Sequence, residues 1–168
     1  ETEMGDASYY DWLVKLGRRY GWQPDKRMYH ADDIAVGQVF IDLYNKYKDK
    51  NMLYPTQARA EWVVNHPSDG PMDLDYKKRE TLERWTWCDA LYMAPPVYVK
   101  LYMLTGDKRF IKFMNKEYKA TYDLLFDKDE RLFYRDSRYL TQKEANGAKV
   151  FWGRGNGWVL GGLAEMLQ

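Results

Sequence analysis

The sequence predicts an all-α fold, and three observations support this. Five separate segments repeat apolar residues at the spacing of a helix. Short turns with glycine, proline or aspartate separate them, and no apolar strands alternate with the helices as in a βαβ protein. With 168 residues and 45% apolar side chains, the chain can bury a sizeable core. We therefore expect about six helices in a single domain that spans residues 1–168.

The first half of the chain contains three predicted helices. Residues 7–20 form the first, which a glycine and a proline end. The second runs from residue 32 or 33 to residue 48, with acidic residues at its start and lysines at its end, as the helix dipole favours. A third covers residues 56–65. Residues 73–83 are polar and are interpreted as a loop or a frayed helix start.

A fourth helical pattern covers residues 84–104. This stretch is strongly apolar, but Pro95 and Pro96 remove two backbone donors and should kink or restart the helix. A turn at residues 105–107 then leads into the next helix.

The remaining predicted elements lie in the last third of the chain. A helix covers residues 107–126 and carries aromatic and apolar residues along one face. Residues 131–140 alternate well enough to predict a short strand-like excursion. A last helix starts near residue 156 and continues to residue 168 without a stop signal.

Charge and hydropathy exclude several classes of partner. The 26 basic and 25 acidic residues nearly cancel, so no global field draws the protein to nucleic acid or to an anionic membrane. No stretch reaches the roughly 18 continuous apolar residues of a membrane span, and no signal-peptide pattern is visible. We therefore expect no nucleic-acid and no membrane partner, and a cytoplasmic or periplasmic location in a bacterium. Nothing in the pattern specifies an oligomeric state.

The single cysteine and the aromatic residues leave alternatives open. Cys88 excludes an internal disulfide framework and is compatible with a reducing compartment. Aromatic residues make up 17% of the chain, with 7 tryptophans and 15 tyrosines. Aromatic rings cover the faces of sugars, but they also fill helical cores, because their burial is strongly stabilising. The composition is compatible with either use.

Asp89 is an unexpected carboxylate within an apolar run. Helical spacing would place Trp85, Tyr92 and Met93 on its face or beside it. One interpretation is a buried structural aspartate that a backbone amide or an arginine satisfies. The other is an acid whose pKa is raised by its aromatic surroundings, so that it holds a proton near neutral pH and can give it up.

Two further aspartates, Asp32 and Asp33, precede an apolar helix. Either can serve as its N-cap while the other faces a cavity. His30 stands just before them, but neither it nor His66 has companions at metal-ligand spacing. We therefore predict no metal site.

The most distinctive segment is the heptapeptide WGRGNGW at residues 152–158. Its three alternate glycines allow the backbone to approach a ligand or to turn sharply. Its other side chains can stack on a pyranose, pair with a carboxylate and hydrogen-bond to hydroxyls: Trp152, Arg154, Asn156 and Trp158. It is not a nucleotide-binding loop, because no apolar strand precedes it and no Gly-Lys-Ser/Thr ending follows. A purely structural turn is the alternative.

Three motifs together resemble the unsaturated rhamnogalacturonyl hydrolases, glycoside hydrolase family 105. They are ADDIAVGQ at residues 31–38, WCDALYMAPP at residues 87–96 and the heptapeptide at residues 152–158. The FYRDSR stretch at residues 133–138 is also similar to that family. The match covers most of the chain, in order.

The resemblance implies a fold that the chain is too short to complete. Family members form an (α/α)6 barrel, in which six helical hairpins surround an axis and the active site lies in a deep pocket at one end. Twelve helices of about a dozen residues with their loops do not fit in 168 residues. We therefore expect this chain to be about half of such a barrel, incomplete at both ends.

The resemblance also implies a hydrolase that removes the 4,5-unsaturated uronic acid left on oligosaccharides, pectin fragments above all, by polysaccharide lyases. Asp89 matches the family's catalytic acid/base. Asp33 best matches the second active-site aspartate, and Asp32 is the competing alignment. In this chemistry the acid protonates C4 of a vinyl ether and then activates a water, and no metal or organic cofactor is required.

The same resemblance implies contacts with the substrate. Arg154 and Trp158 match residues that contact the unsaturated uronate, and Trp152 matches a further wall of the pocket. His30 and Asn156 lie within or next to the same motifs, and we consider them further candidate substrate-binding residues. Family members often carry a histidine near residues 133–138, and this sequence has none there.

Two other functions stay open. Unsaturated glucuronyl hydrolases share the barrel and act on glycosaminoglycan fragments, and the motifs separate the two groups poorly. A helical binding module with aromatic grooves and no catalysis is disfavoured, because no internal repeat is evident and because such a module gives no reason for Asp89 inside an apolar helix.

Overall fold

The computed structural model describes residues 8–167, and these residues are mostly helical. The α-helices are α1 (Ser8–Arg19), α2 (Ala31–Ile34), α3 (Gly37–Tyr47), α4 (Tyr54–Asn65), α5 (Ala90–Met93), α6 (Pro95–Thr105), α7 (Lys108–Leu125) and α8 (Gly153–Met166). The strands β1 (Phe126–Asp127) and β2 (Leu132–Phe133) form a short antiparallel ribbon after α7. The predicted all-α class is therefore confirmed for this part of the chain, and β2 lies in the predicted strand-like excursion.

Three helices match their predicted bounds within two residues, namely α1, α4 and α7. The turn between α6 and α7 shows why local signals succeeded there. Gly106 ends α6 in a left-handed conformation with φ of 71°, which favours glycine. Asp107 then caps α7, because its carboxylate accepts the backbone N–H of Arg109 at 2.9 Å. This two-residue turn makes α6 and α7 an antiparallel hairpin.

Three predicted bounds were wrong. The helix expected from residue 32 or 33 to residue 48 is divided into α2 and α3, because the hydrogen bonds around residues 35–36 switch to i→i+3 spacing. Residues 84–89 are not helical, although the pattern predicted a helix from residue 84. The last helix begins at Gly153, three residues before the predicted start.

The short helix α5 owes its form to the prolines after it. The carbonyl of Tyr92 would accept a hydrogen bond from the residue four positions later, but that residue is Pro96, which has no N–H. Gln38 of α3 replaces the missing donor, since its side-chain amide donates to the carbonyls of Tyr92 at 2.9 Å and Met93 at 3.1 Å. The first and second sequence motifs are thus joined in space.

The core consists of two apolar clusters. The larger one lies among α2 to α8 and includes Leu91, Val97 and Phe110, which are fully buried. The smaller one lies between α1 and α3 and includes Trp22 and Phe40, whose rings meet edge to face at 5.3 Å. Burial of such side chains from water is the main stabilising contribution to the fold.

The outer face of α8 is apolar and uncovered in the described residues. Leu160, Leu163 and Leu167 are all exposed there. An apolar cavity of about 420 Å³ lies beside them between α7 and α8. Within residues 8–167, no helix combines the length and the apolar character needed to cross a membrane.

Candidate active site

Asp89 is positioned by a non-helical segment and stands immediately before α5. The segment is anchored across the chain, because the backbone N–H of Cys88 donates to the carbonyl of Arg135 at 2.8 Å and Trp87 pairs with Asp136 in an isolated antiparallel bridge. Sequence analysis placed Asp89 within a helix with Trp85 on its face, and this placement was wrong, since long-range pairing overrides the local helical pattern.

The carboxylate of Asp89 is left available by the protein. It makes no side-chain cap on α5, and no other residue of the described range 8–167 forms a hydrogen bond or ion pair with it. The carboxylate is half-buried. Its position therefore depends on the backbone, and within residues 8–167 only its own backbone N–H is hydrogen-bonded to it.

The environment raises the pKa of Asp89 above its ordinary value. Burial is the largest cause, because it disfavours the ionised form, and the negative charge of Asp32 acts in the same direction. Its own backbone N–H and the cations of Arg135 and Arg154 oppose this rise without reversing it. Asp89 consequently keeps its proton to a higher pH than an exposed aspartate, as a general acid requires.

Asp33, by contrast, is occupied by Arg27. It is only 4% exposed and accepts the backbone N–H of Arg27 at 2.8 Å and the side-chain Nε at 3.1 Å. Burial would raise the pKa of Asp33, but these hydrogen bonds and the charge of Arg27 hold it below its ordinary value. The ionised Asp33 thus fixes the loop before α2.

Asp32 is the exposed member of the pair, with half of its side chain (50%) open to solvent. The cap of α2 is neither aspartate but His30, whose Nδ1 accepts the backbone N–H of Asp32 at 3.3 Å. Burial lowers the pKa of His30 in spite of the nearby Asp32, so the ring is neutral near pH 7. The imidazole packs on Trp87 at 4.9 Å between centroids, two residues before Asp89.

The heptapeptide at residues 152–158 forms the start of α8 and is neither a ligand-binding loop nor a sharp turn. Gly155 is required there by close packing. A Cβ on it would lie 2.3 Å from the ring of Trp152 and 2.7 Å from Sγ of Cys88. The glycine therefore lets α8 approach the segment that holds Asp89.

Trp158 lies on the same side of α8 as Arg154, four residues earlier. Its ring contacts Tyr92, with 4.8 Å between centroids. Tyr92 in turn follows Asp89 by three residues across the start of α5. The structure therefore brings Asp89, Arg154 and Trp158 to the same side of the α5 and α8 contact.

The side-chain amide of Asn156 is hydrogen-bonded to the backbone. Its Oδ1 accepts the N–H of Phe133 at 2.8 Å, and its Nδ2 donates to the carbonyls of Phe133 at 3.0 Å and Trp152 at 3.1 Å. These bonds join β2 to α8 beside the apolar cavity. The structure does not bring Asn156 to the Asp89 side, and its expected role in substrate binding has no support from this geometry.

A cavity of about 370 Å³ borders this region, lined by Arg135, Tyr139, Val150, Phe151, Trp152 and Arg154. Both guanidinium groups lie over the indole of Trp152, at 5.5 Å for Arg135 and 4.8 Å for Arg154. Sequence analysis did not identify Arg135 as a site residue. The available signal was its place in the FYRDSR stretch, which resembles the same family as the other motifs.

Cys88, the residue before Asp89, is a second potentially reactive group in this segment. Burial raises the pKa of the Cys88 thiol to about 12, so this cysteine is not a thiolate nucleophile at neutral pH. In the described part of the chain, no group of three or more His, Cys, Asp or Glu side chains is arranged to hold a metal ion.

A helical scaffold that sets a half-buried acid beside arginine and tryptophan side chains is suited to acidic sugars. Residues 2–168 match the model of Glycosyl Hydrolase Family 88, and the chain belongs to that family. The sequence motifs resembled family 105 in particular. The match to the family 88 model does not distinguish that narrower assignment.

Two relatives are similar over most of the chain. An unsaturated 3S-rhamnoglycuronyl hydrolase of Formosa agariphila is 38% identical over 97% of this chain and 45% of its own length. A protein of the same name from Alteromonas sp. (strain LOR) is 34% identical over 85% of this chain and 37% of its own length. The chain thus spans less than half the length of these curated relatives.

Solved structures show the same helical arrangement. A family 88 glycosyl hydrolase from Bacteroides vulgatus superposes with a TM-score of 0.81 at 25% identity, over 97% of this chain and 48% of that one. A protein described as a polysaccharide lyase superposes at 0.82 and 26% identity, over 96% and 47%. A family 105 hydrolase of C. acetobutylicum ATCC 824, at 0.70 and 20% identity over 99% and 49%, shares the fold.

Proposed function

We propose that the protein is a glycoside hydrolase that removes a 4,5-unsaturated uronic acid from the non-reducing end of rhamnose-containing oligosaccharides. The observation that carries this proposal is Asp89, whose carboxyl group is half-buried, has a raised pKa and is bound by no other residue of the described range. Membership of family 88 and the names of the relatives support the same class of substrate.

In the proposed reaction the substrate is a vinyl ether. Asp89 protonates C4 of the ring double bond, which leaves an oxocarbenium-like centre at C5 and an ionised Asp89. This carboxylate then takes a proton from a water that adds to C5. The resulting hemiketal opens, and the hemiacetal left at C1 collapses and expels the second sugar. One water is consumed, Asp89 regains its proton, and neither a metal nor an organic cofactor is needed.

For the second carboxylate we propose Asp32 in place of Asp33. Asp33 has its oxygens engaged by Arg27 and is almost inaccessible, so that contact with a sugar would require the loss of that ion pair. Asp32 is half exposed, and its charge is the one that raises the pKa of Asp89. Asp32 would orient the water or a hydroxyl of the sugar, and His30 would hold it in place.

We propose that Arg154 binds the carboxylate of the unsaturated uronate. Its guanidinium has no ion pair in residues 8–167, yet it lies close enough to Asp89 to lower the pKa of that group. Trp152 and Trp158 flank it and offer aromatic faces to the ring. A carboxylate at Arg154 would thereby place the double bond near the acid.

The terminal sugar does not separate the candidate substrates. Glucuronate and galacturonate differ only in the configuration at C4, and this centre is lost when the 4,5 double bond forms. A pectin fragment with unsaturated galacturonyl-rhamnose and a fragment with unsaturated glucuronyl-rhamnose thus present the same terminal ring. The family 105 and family 88 expectations differ in the sugar that leaves.

We also propose that this chain forms about half of an (α/α)6 barrel. The exposed leucines of α8 and the apolar cavity beside them provide a surface for further helices to cover. The relatives, of which the chain spans less than half, have enough additional residues to supply such helices. The remaining part would complete the pocket around the leaving sugar.

The test uses the full-length protein with unsaturated uronyl-rhamnose disaccharides and follows the ultraviolet absorbance of the conjugated uronate. A hydrolase of this type makes the absorbance fall and leaves the matched saturated disaccharide intact. The polysaccharide lyase among the structural neighbours suggests the opposite reaction. A lyase would make the absorbance rise on uncleaved polysaccharide, and this result would reject the proposal.

A further inference from the structure

We propose that Gln38 is a positioning residue, whose carboxamide holds α5 against α3 and thereby fixes the carboxyl group of Asp89 relative to that of Asp32. It would act through the backbone of α5 rather than through contact with the sugar. The inference rests on the proposed function and deepens it, because it names the contact that sets the geometry of the two carboxyl groups.

The C-terminal end of α5 lacks the donors that a continuous helix would supply. In an α-helix the carbonyl of each residue accepts the N–H of the residue four positions later. For Tyr92 that residue is Pro96, which has no N–H. For Met93 it is Val97, whose N–H donates to the carbonyl of Ala94 at 3.0 Å instead. Two successive carbonyls of α5 therefore need a donor from elsewhere.

Gln38 supplies both donors from a buried position. Its Nε2 lies 2.9 Å from the carbonyl oxygen of Tyr92 and 3.1 Å from that of Met93. Because both partners are acceptors, the atom that faces them must be the amide nitrogen, and both of its hydrogens are used. Gln38 is only 8% exposed, so solvent is largely excluded from these bonds.

A continuous series of hydrogen bonds runs through Gln38 from one aspartate to the other. On the α3 side, the backbone N–H of Gln38 donates to the carbonyl of Ala35 at 3.1 Å, and the N–H of Ala35 donates to the carbonyl of Asp32 at 3.3 Å. On the α5 side, the N–H of Tyr92 donates to the carbonyl of Asp89 at 3.0 Å. The backbones that carry the two carboxyl groups are thus tied to the same side chain.

The charges around Asp89 make its acidity a measure of this geometry. Asp32, from α2, raises the pKa of Asp89, whereas the cations of Arg135, from the chain after β2, and Arg154, from α8, lower it. The neighbouring Cys88 is a neutral thiol, since burial raises its pKa to about 12. A change in the distance between the two aspartates should therefore appear as a change in the pKa of Asp89.

Loss of the Gln38 amide should let the two carboxyl groups move apart, because like charges repel and the bonds to α5 no longer resist this. Separation weakens the influence of Asp32, so the pKa of Asp89 falls and the acid loses its proton at a lower pH. Gln38→Met has a side chain of similar length and removes the donors without removing a charge. A pKa shift in this variant therefore reports movement of the carboxyl groups.

The test uses the full-length protein and measures both the pKa of Asp89 and turnover. NMR titration of labelled aspartate carboxyl carbons reports the pKa directly, and Asp89→Asn assigns the signal. Gln38→Met should lower this pKa, move the basic limb of kcat/KM to lower pH, and reduce kcat about 10- to 100-fold, the scale expected for a small misplacement of a catalytic group. In the Asp32→Asn background the same substitution should produce no further shift of the pKa.

A second-site substitution should restore part of the loss. Pro96→Ala returns a backbone N–H to the position four residues after Tyr92, whose carbonyl is left without its donor in Gln38→Met. The combined variant should therefore recover part of kcat and part of the pKa of Asp89. In the presence of Gln38, Pro96→Ala alone should change kcat less than about 3-fold, because the carbonyl already has its donor.

Thr81→Val is the matched control for lost stability. Thr81 is also buried, and its hydroxyl lies 2.8 Å from each of the backbone carbonyls of Asp75 and Lys78. Its replacement should lower the midpoint of urea unfolding, as Gln38→Met does, but leave kcat and the pKa of Asp89 unchanged.

Three results would overturn the inference. They are a folded Gln38→Met protein with the kcat and the Asp89 pKa of the wild type, an equal pKa shift in the presence and absence of Asp32, and the same losses in Thr81→Val. If Gln38→Met does not fold, Gln38→Asn carries the same expectations, because its shorter side chain keeps the amide but cannot reach both carbonyls. The titration needs no turnover, so inactivity toward every unsaturated disaccharide would reject the proposed function alone.

Discussion

Replacement of Asp89 by asparagine in the full-length protein is the sharpest test of the site. The amide keeps the size of the side chain but can neither deliver the proton to C4 nor accept one from water. Loss of a general acid–base group usually costs about 100- to 10,000-fold in rate, or roughly 3–5 kcal/mol in the barrier. We expect kcat to fall within that range.

The same substitution should leave the fold intact or make it more stable. In residues 8–167 no other residue forms a hydrogen bond or ion pair with the carboxylate of Asp89, so no such contact is lost. Because the folded pKa of Asp89 is raised, its ionisation weakens the fold as the pH rises through that pKa. An amide removes this penalty. The midpoint of urea unfolding at neutral pH should therefore stay the same or increase.

The assay follows the loss of uronate absorbance at several pH values, with Asp123→Asn as the control. Asp123 is an exposed aspartate of α7 whose ion-pair partner within residues 8–167 is Lys119, so its replacement should have no effect on turnover. Near-normal turnover by a well-folded Asp89→Asn protein would show that Asp89 is a structural aspartate. The proposed mechanism would then have to be abandoned.

Five other substitutions have distinct expected outcomes. Asp33→Asn should lower the free energy of unfolding by about 1.5–3 kcal/mol, and the loss should vanish in acid, because the lowered pKa contributes stability only above the pH at which this group protonates. Asp32→Asn should move the basic limb of kcat/KM to lower pH, since it removes a charge that raises the pKa of the acid. Arg154→Ala should raise KM more than it lowers kcat on an unsaturated disaccharide. Gly162→Ala should destabilise by about 1–3 kcal/mol in urea, because a Cβ would lie 2.4 Å from a backbone carbonyl of α5, whereas Gly157→Ala, with nothing within 4 Å, should stabilise by up to about 1 kcal/mol.

The helices that could be predicted from sequence carry their signals locally. The cap Asp107 and the stop Gly106 stand next to each other in the chain, and they define the bounds of α6 and α7. Residues 84–89 carried no comparable signal. Their backbone pairs with residues more than forty positions later, and no local pattern reports such a partner.

The candidate site residues also differ in whether the sequence alone could single them out. Asp89 was conspicuous as a carboxylate among aromatic residues, but that composition left a structural aspartate equally open, and the family resemblance named it as the candidate acid. The choice between Asp32 and Asp33 depended on where the side chain of Arg27 lies, which the sequence does not specify. Arg135 could not be distinguished from any other arginine in the sequence, because its place in the cavity beside Arg154 depends on long-range packing.

The hydrogen bond from the N–H of Cys88 to the carbonyl of Arg135 has a consequence for which sequence changes the segment at residues 133–138 tolerates. The bond uses the main chain of Arg135, so the side chain at that position can be exchanged without moving the neighbouring acid. An insertion or deletion within residues 133–138 would instead shift the register of the pairing and displace Asp89. Substitutions in this segment are therefore compatible with a fixed position of Asp89, provided that the length of the segment is kept.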